Sequence, residues 1–122
     1  MSQIHFSSPT SIKDAVECLA NGEGIKKILA GGTDLLVQLR AGMISPDLII
    51  DLKRIPELKT IAAENGGFRI GAAVAGAELS EHAEIPKIWP GVVEGLDLIG
   101  STQIQGRASL GGNLCNGSPA AD

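Results

Sequence analysis

Aromatic side chains are scarce in this 122-residue chain: Phe6, Phe68 and Trp89 are the full set, and there is no tyrosine. Positive charge is also short, with ten Lys and Arg against fourteen Asp and Glu, a net charge of −4. A stacking platform for bases needs rings and positive charge together, so nucleic acid is excluded as a partner. No apolar run reaches the ~18 residues of a membrane span. Met1-Ser2-Gln3-Ile4-His5 lacks the basic and apolar segments of a signal peptide, which makes the cytoplasm the expected location. Cys18 and Cys115 are the only cysteines. They form no C-x-x-C pair, and a cytoplasmic chain keeps both reduced. His5 and His82 are far apart, each without a companion at ligand spacing, so neither a metal site nor a catalytic triad is expected. Both read as surface histidines. Glu78, Glu81 and Glu84 read as a solvated helix face.

Glycine, by contrast, is abundant. Sixteen residues are glycine, roughly twice the average share, without a G-X-Y period. They gather at turns. Two Gly-Gly pairs stand out, in Ala30-Gly31-Gly32-Thr33-Asp34 and in Leu110-Gly111-Gly112-Asn113-Leu114. Each follows a stretch that can run as a strand. With no Cβ in the way, backbone N–H groups at such a pair can approach a ligand closely. Two such turns could grip the two ends of one pyrophosphate. Neither has the G-x-G-x-x-G spacing, which excludes a simple Rossmann reading.

The hydrophobic share of 43% supports a folded core, and the length fits one domain. Residues 4–7 read as a strand. Pro9 and Thr10 or Ser11 start a helix, in which Ile12, Ala15, Val16, Leu19 and Ala20 share one face. Asn21-Gly22 closes it. A buried strand over 26–30 leads into Gly31-Gly32. Thr33 or Asp34 can cap a second helix bearing Leu35, Leu36 and Leu39, and 48–52 forms a third strand. This β-α-β-α-β order favours a small parallel sheet. The style then changes. Strands over 58–63 and 68–74 flank Asn65-Gly66-Gly67, a hairpin signal. A short helix covers 77–82. A helix from Pro90 to Ile99 ends at Gly100-Ser101, and 101–109 reads as polar and extended.

At the first glycine turn, N–H groups from Gly31 to Leu35 lie at a helix N-terminus, where they lack intrahelical partners and attract an anion. Thr33 adds a hydroxyl. Asp34 is awkward beside a phosphate and reads as a cap. The alternative is a turn that needs glycine for shape alone. Around the second turn, Ser109, Asn113, Asn116 and Ser118 supply donors and Asp122 an acceptor. The alternative here is a polar surface loop. Cys115 follows directly and reads more as a packing residue than a site residue; Cys18 reads as a buried small hydrophobe. Arg69 and Arg107 could meet a phosphate, although a lone arginine on a strand is more often a surface residue. With no acid–base or metal constellation, any chemistry must come from a bound cofactor.

Taken together, several segments resemble the FAD-binding medium subunit of the molybdenum hydroxylases, a family that includes carbon monoxide dehydrogenase, xanthine dehydrogenase and 4-hydroxybenzoyl-CoA reductase. They are Phe6-x-x-Pro9, Ala30-Gly31-Gly32-Thr33-Asp34-Leu35, Pro46 to Leu52, Ile55-Pro56-Glu57-Leu58, Ile70-Gly71-Ala72, Gly100-Ser101-x-Gln103-Ile104, and Leu110 to Asp122. The resemblance covers essentially the whole chain in order. It implies an α+β fold: a two-lobed PCMH-type FAD-binding domain. A small N-terminal β-α-β-α-β lobe would occupy residues 1–55, and the first part of a larger mixed-sheet lobe residues 56–122. It implies that the two glycine loops lie on different lobes and hold the FAD pyrophosphate between them. The cofactor-binding positions carried over are Lys27, Ile28, Leu29, Ala30, Gly31, Gly32, Thr33, Asp34 and Leu35, then Ser109, Gly112, Asn113, Cys115, Asn116, Ala121 and Asp122. Ile99 matches an apolar flavin neighbour. Gly106 departs from the family, which often carries Asn there.

The resemblance further implies an electron relay. A large subunit with the molybdenum cofactor (molybdopterin) oxidises substrate, two [2Fe–2S] clusters on a small subunit pass single electrons, and FAD hands pairs to NAD⁺ or a quinone. Family members continue beyond the position of Asp122, through the rest of the flavin pocket and a further domain. A fragment, or a separate chain completing the FAD domain, is therefore expected. The rival readings are a non-catalytic fragment or assembly scaffold without a complete flavin pocket, and a stand-alone FAD oxidase.

Overall fold

The computed structural model describes residues 3–118. Strand β1, His5–Ser7, leads through buried Pro9 to Ser11. The Ser11 hydroxyl accepts the Asp14 N–H at 3.1 Å and so caps helix α1, Ile12–Ala20. Asn21 ends it, donating its N–H to the Glu17 carbonyl at 2.9 Å. Lys26 then folds its ammonium back onto the carbonyls of Leu19 (3.0 Å), Asn21 and Gly22 (3.3 Å). A cation is favoured there, at the negative end of the helix dipole. Strand β2, Lys26–Leu29, helix α2, Leu35–Arg40, and strand β3, Leu48–Asp51, complete the expected β-α-β-α-β run.

These three strands form a parallel sheet in the order β1-β3-β2. In register, Ile49 stands beside Phe6 and Lys27, and Ile50 beside Ser7 and Ile28. Successive residues of a strand point to opposite faces. Ile49 and Ile50, both essentially buried, therefore show that the middle strand is covered on both sides. Cys18 is half-buried on α1, its sulfur 3.7 Å from the Ser7 hydroxyl of β1.

The chain next makes a 3-10 turn over Pro56–Lys59, where a strand starting at residue 58 was expected. Proline at its first position and the Thr60 hydroxyl donating to the Pro56 carbonyl at 2.6 Å favour the turn. Strands β4, Ile61–Glu64, and β5, Gly67–Ile70, pair antiparallel with Glu64 opposite Gly67. Asn65-Gly66 is thus a two-residue turn, and the φ values of +49° and +79° are those a type I′ hairpin demands. The second strand ends at Ile70 and does not continue to Val74.

Five short helices follow: α3, Gly76–Ser80; α4, Ile85–Ile88; α5, Pro90–Asp97; α6, Thr102–Gln105; and α7, Leu110–Asn116. Val74, Leu79, Ile85, Val93 and Leu96 form their buried core, against which Ile61, Phe68, Ile70, Ile99 and Leu110 pack. Two expectations are corrected here. Residues 101–109 are not simply extended, because the Ser101 hydroxyl caps a turn of helix by accepting the Ile104 N–H at 3.4 Å. His82 is not a plain surface residue. Its Nδ1 accepts the N–H groups of Glu84 (3.1 Å) and Ile85 (3.2 Å) at the start of α4, and its ring lies edge-on to Phe68.

Candidate functional site

The first glycine segment meets the chain just ahead of the second. Gly31 sits directly against the backbone of Arg107 and Ala108, so closely that a Cβ at residue 31 would overlap the Arg107 carbonyl and lie 3.1 Å from the Ala108 Cα. The end of β2 is thereby fixed beside the entry to α7. Gly111 repeats the device on the other side. A Cβ there would lie 2.6 Å from the Ala72 carbonyl oxygen, so α7 docks through glycine onto the segment after the hairpin. An N–H row that must face a ligand is better served by glycine than by any residue with a Cβ.

Each segment ends in a helix N-terminus. On the first, Gly32 takes φ +78°, a left-handed value, and α2 begins at Leu35. Among the described residues, the N–H groups of Gly31, Gly32, Thr33, Asp34 and Leu35 have no hydrogen-bond partner. Asp34 does not cap the helix as expected; its carboxylate instead takes the side-chain amide of Gln38, one turn on. The second glycine pair is not a turn out of a strand. It lies inside α7, whose N-cap is Ser109. The Ser109 hydroxyl accepts the Gly112 N–H at 2.9 Å, and Ser109 is almost wholly buried. Ser109 therefore organises the helix end, and Gly111 presents the N–H without a partner among the described residues. Each terminus carries partial positive charge, contributing roughly 0.3–1 kcal/mol toward an anion.

The remaining predicted positions divide. In β2, Lys27 and Leu29 lie on one face of the sheet and Ile28 on the other, so the three side chains do not converge; the strand delivers the loop. Ala30 and Thr33 are half-buried in that loop. Asn113 is half-buried on α7, while Asn116 and Cys115 are exposed, so Cys115 is not the packing residue expected. Ile99 is half-buried against the core of the helical part. Ala121 and Asp122 lie outside the described residues. Arg69 pairs with Glu64 on the hairpin, which holds the Glu64 carboxyl below its usual range, and so takes no part. Arg107 is exposed at the junction, and its side chain makes no hydrogen bond or ion pair among the described residues.

Sequence reasoning missed Lys53. Its ammonium donates to the Ala30 carbonyl at 2.8 Å and to Asp51 Oδ1 at 2.8 Å, and its backbone N–H donates to the same Oδ1 at 3.0 Å. Burial pushes the Asp51 carboxyl up, but these hydrogen bonds and the charges of Lys53 and Arg54 outweigh it and leave the carboxyl below the usual aspartate range. Only the spacing Asp51-Leu52-Lys53 hinted at such a pair, and nothing in it pointed 23 residues back to Ala30.

Comparison with known proteins adds a family. Residues 2–122 match the model of the FAD binding domain in molybdopterin dehydrogenase. The chain is 33% identical over 117 residues to the caffeine dehydrogenase subunit beta of Pseudomonas sp. (strain CBB1). It is 36% identical over 118 residues to the xanthine dehydrogenase FAD-binding subunit of Escherichia coli O157:H7. Each match takes in 96% of this chain, and the chain spans about 40% of the length of these curated relatives. Among solved structures, the carbon monoxide dehydrogenase of Hydrogenophaga pseudoflava that lacks the Mo-pyranopterin moiety superimposes with a TM-score of 0.93 at 31% identity, over 98% of this chain and 42% of that one. The quinoline 2-oxidoreductase of Pseudomonas putida 86 does so with a TM-score of 0.85 at 26% identity, over 92% and 39%.

Proposed function

Because this chain belongs to the family of FAD-binding domains of molybdopterin dehydrogenases, we propose that its two glycine segments hold the pyrophosphate of FAD. The reading rests on one observation above all. Gly31 seats on Arg107 and Ala108, just before α7, and the N–H groups of Gly31 to Leu35 and of Gly111 have no partner among the described residues. Such a donor set fits a diphosphate, which offers oxygen acceptors and negative charge and asks for no proton transfer. Residues 1–55 form one lobe of the site and residues 56–122 the first part of a second. The N–H groups of Gly31 to Leu35 and the Thr33 hydroxyl serve the first lobe. Gly111, Gly112 and Asn113 serve the second, with Asn116, Cys115, Ala121 and Asp122 close by in sequence. Ile99 borders the flavin.

The chemistry supplied by bound FAD is electron relay, from [2Fe–2S] clusters to NAD or a quinone. The partners are then a small [2Fe–2S] subunit and a large subunit carrying the molybdenum cofactor, in the cytoplasm. This chain supplies grip and charge, with no acid or base of its own. The test is bound flavin per polypeptide in the purified full-length protein and in its Gly112→Val variant. Gly112 is the cleaner choice, because a Cβ there meets only the Ser109 hydroxyl, at 2.7 Å, whereas Gly32 carries a left-handed φ that any side chain would strain. Stoichiometric flavin in the parent and its loss in a variant with unchanged circular dichroism is the expected result. A folded parent that takes up no flavin would support the scaffold reading.

A further inference from the structure

We infer that Lys53 is a positioning residue for the diphosphate loop: anchored by Asp51, it holds the Ala30 carbonyl and so aims the N–H groups that follow. The inference rests on the FAD reading above and extends it to a residue outside both glycine motifs. Ala30 is the last residue before Gly31-Gly32, a pair with few conformational restraints of its own. Among the described residues no other side chain makes a hydrogen bond to the backbone of residues 30–35. The Lys53 ammonium makes one, at 2.8 Å, and is itself held by Asp51 at the same distance. The anchor is firm, since Asp51 is mostly buried at the end of the middle strand and takes a second bond from the Lys53 N–H. A peptide unit fixed at its carbonyl has its plane fixed, and the direction of the next N–H with it. The strand end thus sets the aim of the Gly31 N–H through one side chain.

Two roles are separable. If Lys53 acted only as a nearby positive charge, releasing it from Asp51 would strengthen diphosphate binding. If it acts by holding Ala30, losing either partner weakens binding. The experiment uses the full-length protein with Lys53→Met, Lys53→Arg and Asp51→Asn, each titrated with FAD and with ADP, which carries the diphosphate without the ring. Circular dichroism on the same samples establishes that the apo-proteins are folded.

Expected are losses of about ten-fold for both ligands in Lys53→Met and in Asp51→Asn, and near-parental binding in Lys53→Arg, whose guanidinium can still reach both acceptors. Tighter binding in Asp51→Asn would overturn the inference in favour of simple charge. Unchanged affinity in Lys53→Met, or a loss for FAD with none for ADP, would overturn it too. If Lys53→Met fails to fold, Asp51→Asn still decides by the sign of its effect. A parent protein that binds neither ligand overturns the FAD reading itself.

Discussion

At the scale of single residues, polar groups divide between those used by the fold and those whose side chains it leaves without a hydrogen bond among the described residues. Ser109 and His82 belong to the first kind, since each accepts backbone N–H groups at a helix start. Asn113 belongs to the second: its side chain makes no hydrogen bond among the described residues. Asn113→Ala should therefore weaken FAD binding by about 1–3 kcal/mol, the cost of leaving a bound polar group without its partner. His82→Ala should leave FAD affinity unchanged and lower unfolding stability by about 1–2 kcal/mol, through the lost cap and ring contact. Titration with FAD and urea unfolding of both variants would check this. A larger affinity loss in His82→Ala than in Asn113→Ala would put the site in the wrong place.

Among the elements, those with a period and a cap were legible in the sequence. The apolar stripe of α1 with Ser11 before it, and the Asn65-Gly66 turn, needed no tertiary knowledge. Illegible were elements too short to show a period. Helix α6 has Ile104 as its one apolar residue, and α4 is a single turn whose start is held by a histidine. The second glycine pair misled because glycine usually signals a turn, whereas Gly111 is small so that a helix can rest on Ala72. Lys53 was hidden because its partner lies 23 residues away. The strand end it locks carries a pH signature. The native Asp51 carboxyl lies below its ordinary range, so its contribution is complete above that range and fades as pH falls through the lowered native value. From about pH 5 downward, stability of the parent should therefore fall more steeply than that of Asp51→Asn. Parallel curves in urea unfolding would show that the pair contributes nothing.

On the scale of the whole molecule, much apolar surface faces outward. Phe6 is 59% exposed, Leu98 70%, Met43 72% and Leu114 78%. Relatives more than twice as long have further chain with which to cover such residues. Residues 1–122 expressed alone should bind FAD weakly and tend to associate, because the isoalloxazine needs walls and burial is worth roughly 25 cal/mol per Å². Calorimetric titration of residues 1–122 with FAD would check it; tight stoichiometric binding is the contrary result. The strand order β1-β3-β2 adds a matter of timing. The strand that stands in the middle is the last of the three to leave the ribosome. Until Leu48–Asp51 has emerged, β1 and β2 have no common neighbour, and the loop after β2 hangs from an unpaired strand. Parallel pairing at such sequence separation is slow to form. The nascent chain therefore passes through an interval with two open edges and a glycine loop still without direction. At translation rates of about 5–20 residues per second, that interval lasts about a second or a few. A chaperone or a waiting partner would meet the protein in that window.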